Sequence, residues 1–178
     1  ERGEADLAAA GLTITPARRE RFRFGPGYQT VTQQVVCRRD QVRPETLGEL
    51  ARIDQLAVIA ESSYAELLRA LEQQDYPVPD WRTIADTTTE SLLYRVWRRK
   101  LDCTVADSTI VDINRRYFPE LIAPFNLNRS ESLGWMMAQP RRDLESAVAS
   151  WLESFRESGR LEVVKEHYYG YFRVFDYV

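Results

Sequence analysis

QLAVIAESSYAELLRALEQQ, residues 55–74, decides the fold. Gln55–Ala60 is a short apolar run that reads as a buried strand. Ser62–Gln74 places Leu67, Leu68 and Leu71 on one face, the spacing of an amphipathic helix. Working outward, Thr46–Ala51 reads as a short helix capped by Thr46, and Pro77–Pro79 interrupts the chain. Trp81–Ala85 is then a strand, and Thr88–Lys100 a helix carrying Leu92, Leu93, Val96 and Trp97. Cys103–Ala106 is a strand, Ser108–Tyr117 a helix stopped by Pro119, and Leu121–Leu127 a strand. Strands that alternate with helices in this way predict βαβ units and a mostly parallel sheet, hence an α/β fold.

The flanks have a different pattern. Asp6–Gly11 reads as a buried strand. Thr15 then supplies an N-cap, with Pro16 at the first helical position of an Arg-rich turn, Ala17–Arg21. Phe22-Arg23-Phe24 alternates like a strand, and Tyr28–Arg38 is β-branched and extended. Leu133–Ala138 returns as a strand, followed by helices over Asp143–Ser158 and Leu161–Tyr169, and the chain ends in the aromatic run YFRVFDYV. The expected organisation is two-lobed. Residues 39–132 form an inserted α/β lobe, and 1–38 with 133–178 form the other. The extended segments Tyr28–Arg38 and Leu133–Ala138 serve as a two-strand hinge. In such folds ligands bind at strand C-terminal ends, in the crevice between lobes.

The 178 residues are 44% apolar and 29% charged, a globular composition with no apolar run near the ~20 residues of a membrane span. The net charge of −3 argues against a nucleic-acid partner held by bulk positive charge. Cys37 and Cys103 are too few for a disulfide scaffold and lack zinc spacing. They read as two thiols whose bridging depends on adjacency in space. The single histidine, His167, reads as a surface helical residue. No metal or cofactor is expected.

Three groups of residues could carry binding chemistry. Gly11, Thr13 and Arg18 follow a strand and open a helix. Arg18 offers a bidentate fork for a carboxylate, against the alternative of a plain loop with a solvated arginine. Glu61-Ser62-Ser63 sits between a strand and a helix, where N–H groups and hydroxyls can hold an anion or Ser62 can simply cap the helix. Asp107 follows strand CTVA and could receive a ligand ammonium or cap the next helix.

The run DLAAAGLTITPARRERFRFGPGY, Asp6–Tyr28, resembles the signature of the bacterial family-three extracellular solute-binding proteins: a strand ending in Gly-x-Thr, an Arg in the next turn, then an aromatic-rich stretch. AVIAESSYAELLRAL, TVADSTIVDINRRYFPEL and the ending HYYGYFRVFDYV resemble one subgroup, the non-catalytic N-terminal modules of the membrane-bound lytic murein transglycosylase F group. The resemblance implies a type II periplasmic-binding-protein fold with one complete lobe and a truncated first lobe. It implies that Gly11, Thr13 and Arg18 bind a ligand carboxylate, that Ser62 and Ser63 at a helix N-terminus assist, and that Asp107 binds an ammonium. Glu61 stands where the family usually has Gly, and Gly27 where it often has Pro.

The same resemblance implies a periplasmic module, associated with the outer membrane in its parent protein. It would bind a muropeptide or amino acid and regulate peptidoglycan cleavage by a tethered C-terminal lytic domain, with a homodimer through the incomplete lobe among its implied partners. The alternative is the amino-acid-binding component of an importer. Glu-Ser pairs at Glu61, Glu90, Glu131, Glu153 and Glu157 lack the companion segments of a lytic transglycosylase, so no catalytic residue is expected in this chain.

Overall fold

The computed structural model describes residues 5–169, and the aromatic run YFRVFDYV lies outside them. The chain divides into two compact units, one made of Glu1–Thr30 with Glu131–Val178 and the other of Val31–Ser130. Elements are numbered along the chain.

In the first unit, β1 (Leu7–Thr13), β2 (Phe22–Phe24) and β3 (Gln29–Val31) all pair with β9 (Glu131–Ala138). The Thr15 side chain accepts from the Arg18 N–H and starts α1 (Pro16–Arg21), whose fixed first φ comes from Pro16. β1 was expected as a buried strand, but Ala9, Ala10 and Gly11 are exposed. It pairs with β9 on one side only, so its run of small residues has an open face. Helix α6 (Arg142–Glu157) buries Val148 and Leu152 against Met137 of β9 and is followed by α7 (Arg160–Tyr169). The close approach of α6 requires a glycine at position 25, where a Cβ would stand 2.6 Å from Val148 Cγ1. His167 is an exposed residue of α7.

The second unit is a five-stranded sheet between helices. Its strands are β4 (Gln33–Arg38), β5 (Leu56–Ile59), β6 (Trp81–Ile84), β7 (Cys103–Asp107) and β8 (Leu121–Asn126), in the order β6-β5-β7-β4-β8. β5 runs parallel to both β6 and β7, as the alternating strand–helix pattern predicts. β4 is antiparallel to β7 and β8, so the sheet is mixed.

The period-2 alternation of strands sorts the core. Val35, Cys37, Leu56, Val58, Cys103 and Val105 face α2 (Leu47–Leu50) and α3 (Ser63–Gln73), where Leu50, Ala65 and Leu68 complete the cluster. Val36, Ala57 and Ala106 face α4 (Thr89–Trp97) and α5 (Ser108–Arg115), meeting Leu92, Leu93, Val96 and Val111.

One sequence expectation changes here, and one open point is resolved. Tyr28–Arg38 is not one hinge strand. It breaks at Thr32 into β3 and β4, and β4 is an interior strand of the second unit's sheet, with Val35, Val36 and Cys37 fully buried. Cys37 and Cys103, whose bridging the sequence leaves open, are joined. They are register partners on β4 and β7 and form a disulfide that closes a separation of 66 residues. Chain-entropy arguments value such a cross-link at about 4 kcal/mol.

Candidate functional site

Each unit holds one part of the expected binding set. In the first, Thr13 ends β1, is 2% exposed and pairs with Leu133. Arg18, one turn into α1, folds back so that its Nη1 donates to the Thr13 carbonyl at 3.1 Å. This bond ties a guanidinium to the C-terminal end of a strand, and its planar fork suits a carboxylate. Gly11 and Thr13 lie within β1 rather than in a loop after it, because β1 runs on to Thr13 across a register shift between Ala8 and Leu12. A Cβ at Gly11 would meet only ordinary contacts of 3.7 and 3.8 Å, so packing does not demand glycine there.

In the second unit the chain leaves β5 through Glu61, whose φ is +55°. That left-handed conformation costs a residue with a Cβ about 1–2 kcal/mol, so glycine would suit this place better. Ser62 follows as the N-cap of α3. Its Oγ accepts from the Ala65 N–H at 3.3 Å and donates to the Ile59 carbonyl at 2.7 Å. The capping role is thus filled, and the Ser62 hydroxyl is held by two backbone groups. Ser63, the first residue of the helix, is buried.

Asp107 is different. It ends β7 and immediately precedes α5, is 5% exposed, and makes no side-chain cap bond to that helix. The capping alternative raised by its position therefore does not account for the carboxylate. Its backbone N–H donates to the Tyr64 hydroxyl at 3.3 Å. Burial and then the negative charge of Asp107 push the Tyr64 phenol far above its ordinary pKa, so it stays protonated. Thr89, the first residue of α4, hydrogen-bonds the same phenol. The starts of α3, α4 and α5 thus converge on one buried polar group at the C-terminal edge of the parallel strands. Asp86, just past β6 on that edge, is also left-handed at φ +50°. Backbone strain of this kind gathers where a fold positions functional groups.

The sequence reading did not identify Tyr64 and Thr89. Both sit on the buried side of a helix start, where their spacing looks like core. Only the position of Tyr64 two residues after a helix cap, at the same edge as Asp107, distinguished it. Among the described residues no group of three or more His, Cys, Asp or Glu could hold a metal ion.

The profile of the bacterial extracellular solute-binding proteins, family 3, matches residues 1–171. A membrane-bound lytic murein transglycosylase F 1 of Alkalilimnicola ehrlichii is 42% identical over 179 residues, covering 99% of this chain and 36% of that protein. The membrane-bound lytic murein transglycosylase F of Aliivibrio fischeri is 36% identical over 180 residues, covering 100% of this chain and again 36% of the relative. The chain therefore spans little more than a third of these curated relatives and corresponds to their solute-binding portion.

Among solved structures, a mutant of ArgBP from T. maritima superposes with a TM-score of 0.81 at 22% identity, over 95% of this chain and 71% of that one. ArtJ of Geobacillus stearothermophilus, an arginine-, lysine-, histidine-binding protein, does so at 0.81 and 17% identity, over 94% and 71%. The fold is that of type II periplasmic binding proteins, and this chain spans about 71% of each of these two. The chain belongs to the bacterial extracellular solute-binding proteins, family 3.

Proposed function

We propose that the chain is the ligand-sensing module of a membrane-bound lytic murein transglycosylase. It binds a cell-wall peptide or amino-acid group and regulates cleavage by a catalytic domain elsewhere in the parent protein. The observation that carries this reading is Asp107, a buried carboxylate at a strand end that caps no helix and stands beside the Tyr64 hydroxyl. A ligand ammonium is the partner such a group suits. Arg18, fastened to the end of β1 in the first unit, offers that unit's group for a carboxylate. Gly11 and Thr13 lie on the strand whose end Arg18 contacts, and Ser62 and Ser63 open the helix that carries Tyr64, with Ser62 acting mainly through the helix it caps.

Regulation follows if the ligand binds one arrangement of the parent protein better than another, since differential affinity is what shifts a conformational equilibrium. The Cys37–Cys103 disulfide supports placement in an oxidising compartment such as the periplasm. No described helix is long and apolar enough to cross a membrane, so attachment to the outer membrane would come from another part of the parent.

The test is calorimetric titration of the chain with muropeptides released from purified sacculi and, separately, with free amino acids. Sacculus cleavage by the full-length transglycosylase is then assayed with and without saturating muropeptide. The reading expects muropeptide binding and a changed cleavage rate. Preference for a free amino acid, with no effect on cleavage, would favour an importer component. No binding of either would make the module a spacer.

A further inference from the structure

We propose that the second unit carries a docking groove for an anionic glycan strand, along α4 and the end of α5. The groove has a volume of about 880 Å³. Its aromatic lining is Tyr94, Tyr117 and Phe118. Tyr117 is 74% exposed and Tyr94 47%. Tyr94 is held in place by tilted contacts with Trp97 at 5.7 Å and Phe118 at 5.9 Å, so it offers a fixed surface rather than a loose side chain.

The charge around these rings is predominantly positive. Arg82, Arg95 and Lys100 line the groove against a single carboxylate, Glu90. Among the described residues these three cations form no ion pair and no side-chain hydrogen bond. Some other arginines are matched, Arg23 with Glu145, Arg38 with Asp40 and Arg141 with Asp143. Exposed ring faces stack on the C–H faces of sugar rings, and guanidinium and ammonium groups bind carboxylates. A polysaccharide with a carboxylate on alternate sugars, as in a murein strand stripped of its peptides, meets both requirements. An acidic peptide would use the cations but has less need of two exposed tyrosines.

The groove begins at Thr87 and Glu90, which flank the Thr89 of the Asp107 edge, but Arg82, Lys100 and Tyr117 lie toward its opposite end. Lys100 and Leu101 lie before the start of β7 and Tyr117 and Phe118 after the end of α5, whereas Asp107 is the last residue of β7. Five strand residues separate those two ends of β7 by roughly 13 Å. The choice of a murein glycan rests on the proposed parent function, but not on the sensing site.

The test is co-sedimentation or surface binding of the 178-residue chain with peptide-free glycan strands prepared from sacculi by amidase. Anionic phosphatidylglycerol vesicles and poly-glutamate serve as parallel probes. Wild type is expected to bind the glycan, and both Tyr117→Ala and Arg82→Glu/Lys100→Glu to weaken it at least tenfold. The charge variant should also lose the salt dependence. These residues are exposed, so thermal melting should be unchanged and a folding defect can be told from a lost contact. Muropeptide titration should be unaffected by either variant, which separates failure of the groove from failure of the sensing site. Absence of glycan binding, glycan binding that survives both variants, or binding of vesicles or poly-glutamate in its place would overturn the proposal.

Discussion

Helices α3 and α5 begin at the same edge of one sheet, at the ends of the neighbouring parallel strands β5 and β7. At α3, the residue before the helix is Ser62, whose hydroxyl is bound to the Ala65 N–H and the Ile59 carbonyl. At α5 it is Asp107, as good a capping residue by type, yet its carboxylate makes no cap bond. The first arrangement stabilises the fold. The second holds a buried carboxylate beside a protonated tyrosine without helping the helix, which is what a binding site for a cation requires. Sequence position alone gives the two residues the same role.

The largest expected effect on stability concerns the strand beneath α5. β7 starts at Cys103 and ends at Asp107, so the disulfide to Cys37 anchors the strand that presents the carboxylate. Cys37→Ala/Cys103→Ala should lower unfolding free energy by about 4 kcal/mol in denaturant titration. A double variant as stable as wild type would show that packing alone holds β7.

Ser62→Ala should cost about 1 kcal/mol by loss of the cap. If it instead abolished ligand binding while leaving stability intact, the contrast between the two helix starts would fail. Glu61→Gly relieves the left-handed strain but adds glycine's unfolded-state freedom, for a net gain of about 0.5–1 kcal/mol in thermal or chemical denaturation.

The smallest effect belongs to a third helix start. Asp143, in the first turn of α6, is hydrogen-bonded by Arg141 and has its carboxyl lowered to about 2. A lowered carboxyl stabilises the fold above the ordinary carboxylate range and loses that contribution as pH falls through about 2. The pair is exposed and screened. Asp143→Asn should therefore shift melting slightly at neutral pH and not at all at the acid end.

The alternating elements of the second unit were legible because each strand is a short buried run and each helix has an apolar stripe. The run YQTVTQQVVCR reads as one extended strand because its β-branched residues are spread along it without a turn signal, which does not show where a strand leaves one sheet for another. The consecutive burial of Val35, Val36 and Cys37 between two helical layers identifies β4 as an interior strand. The disulfide depends on the Cys37–Cys103 register, a long-range fact that composition cannot carry. At the candidate site, the residue types at Arg18, Ser62 and Asp107 suggested their chemistry, but three-dimensional hydrogen bonding separates the cap from the uncapped carboxylate. Tyr64 was hidden because a tyrosine on a buried helix face looks like core.

The central claim is that Asp107, in the second unit, receives a ligand ammonium and that Arg18, in the first, binds a ligand carboxylate. The most direct measurement is calorimetric titration of wild type, Arg18→Gln and Asp107→Asn with one muropeptide and with its N-acetylated form. Losing one partner of a buried charged contact costs roughly 2–5 kcal/mol, about 30-fold or more in affinity. The account predicts at least that loss for each variant, unchanged melting of Asp107→Asn, and a penalty for N-acetylation that disappears once Asp107 is replaced. Equal binding by wild type and both variants would contradict it.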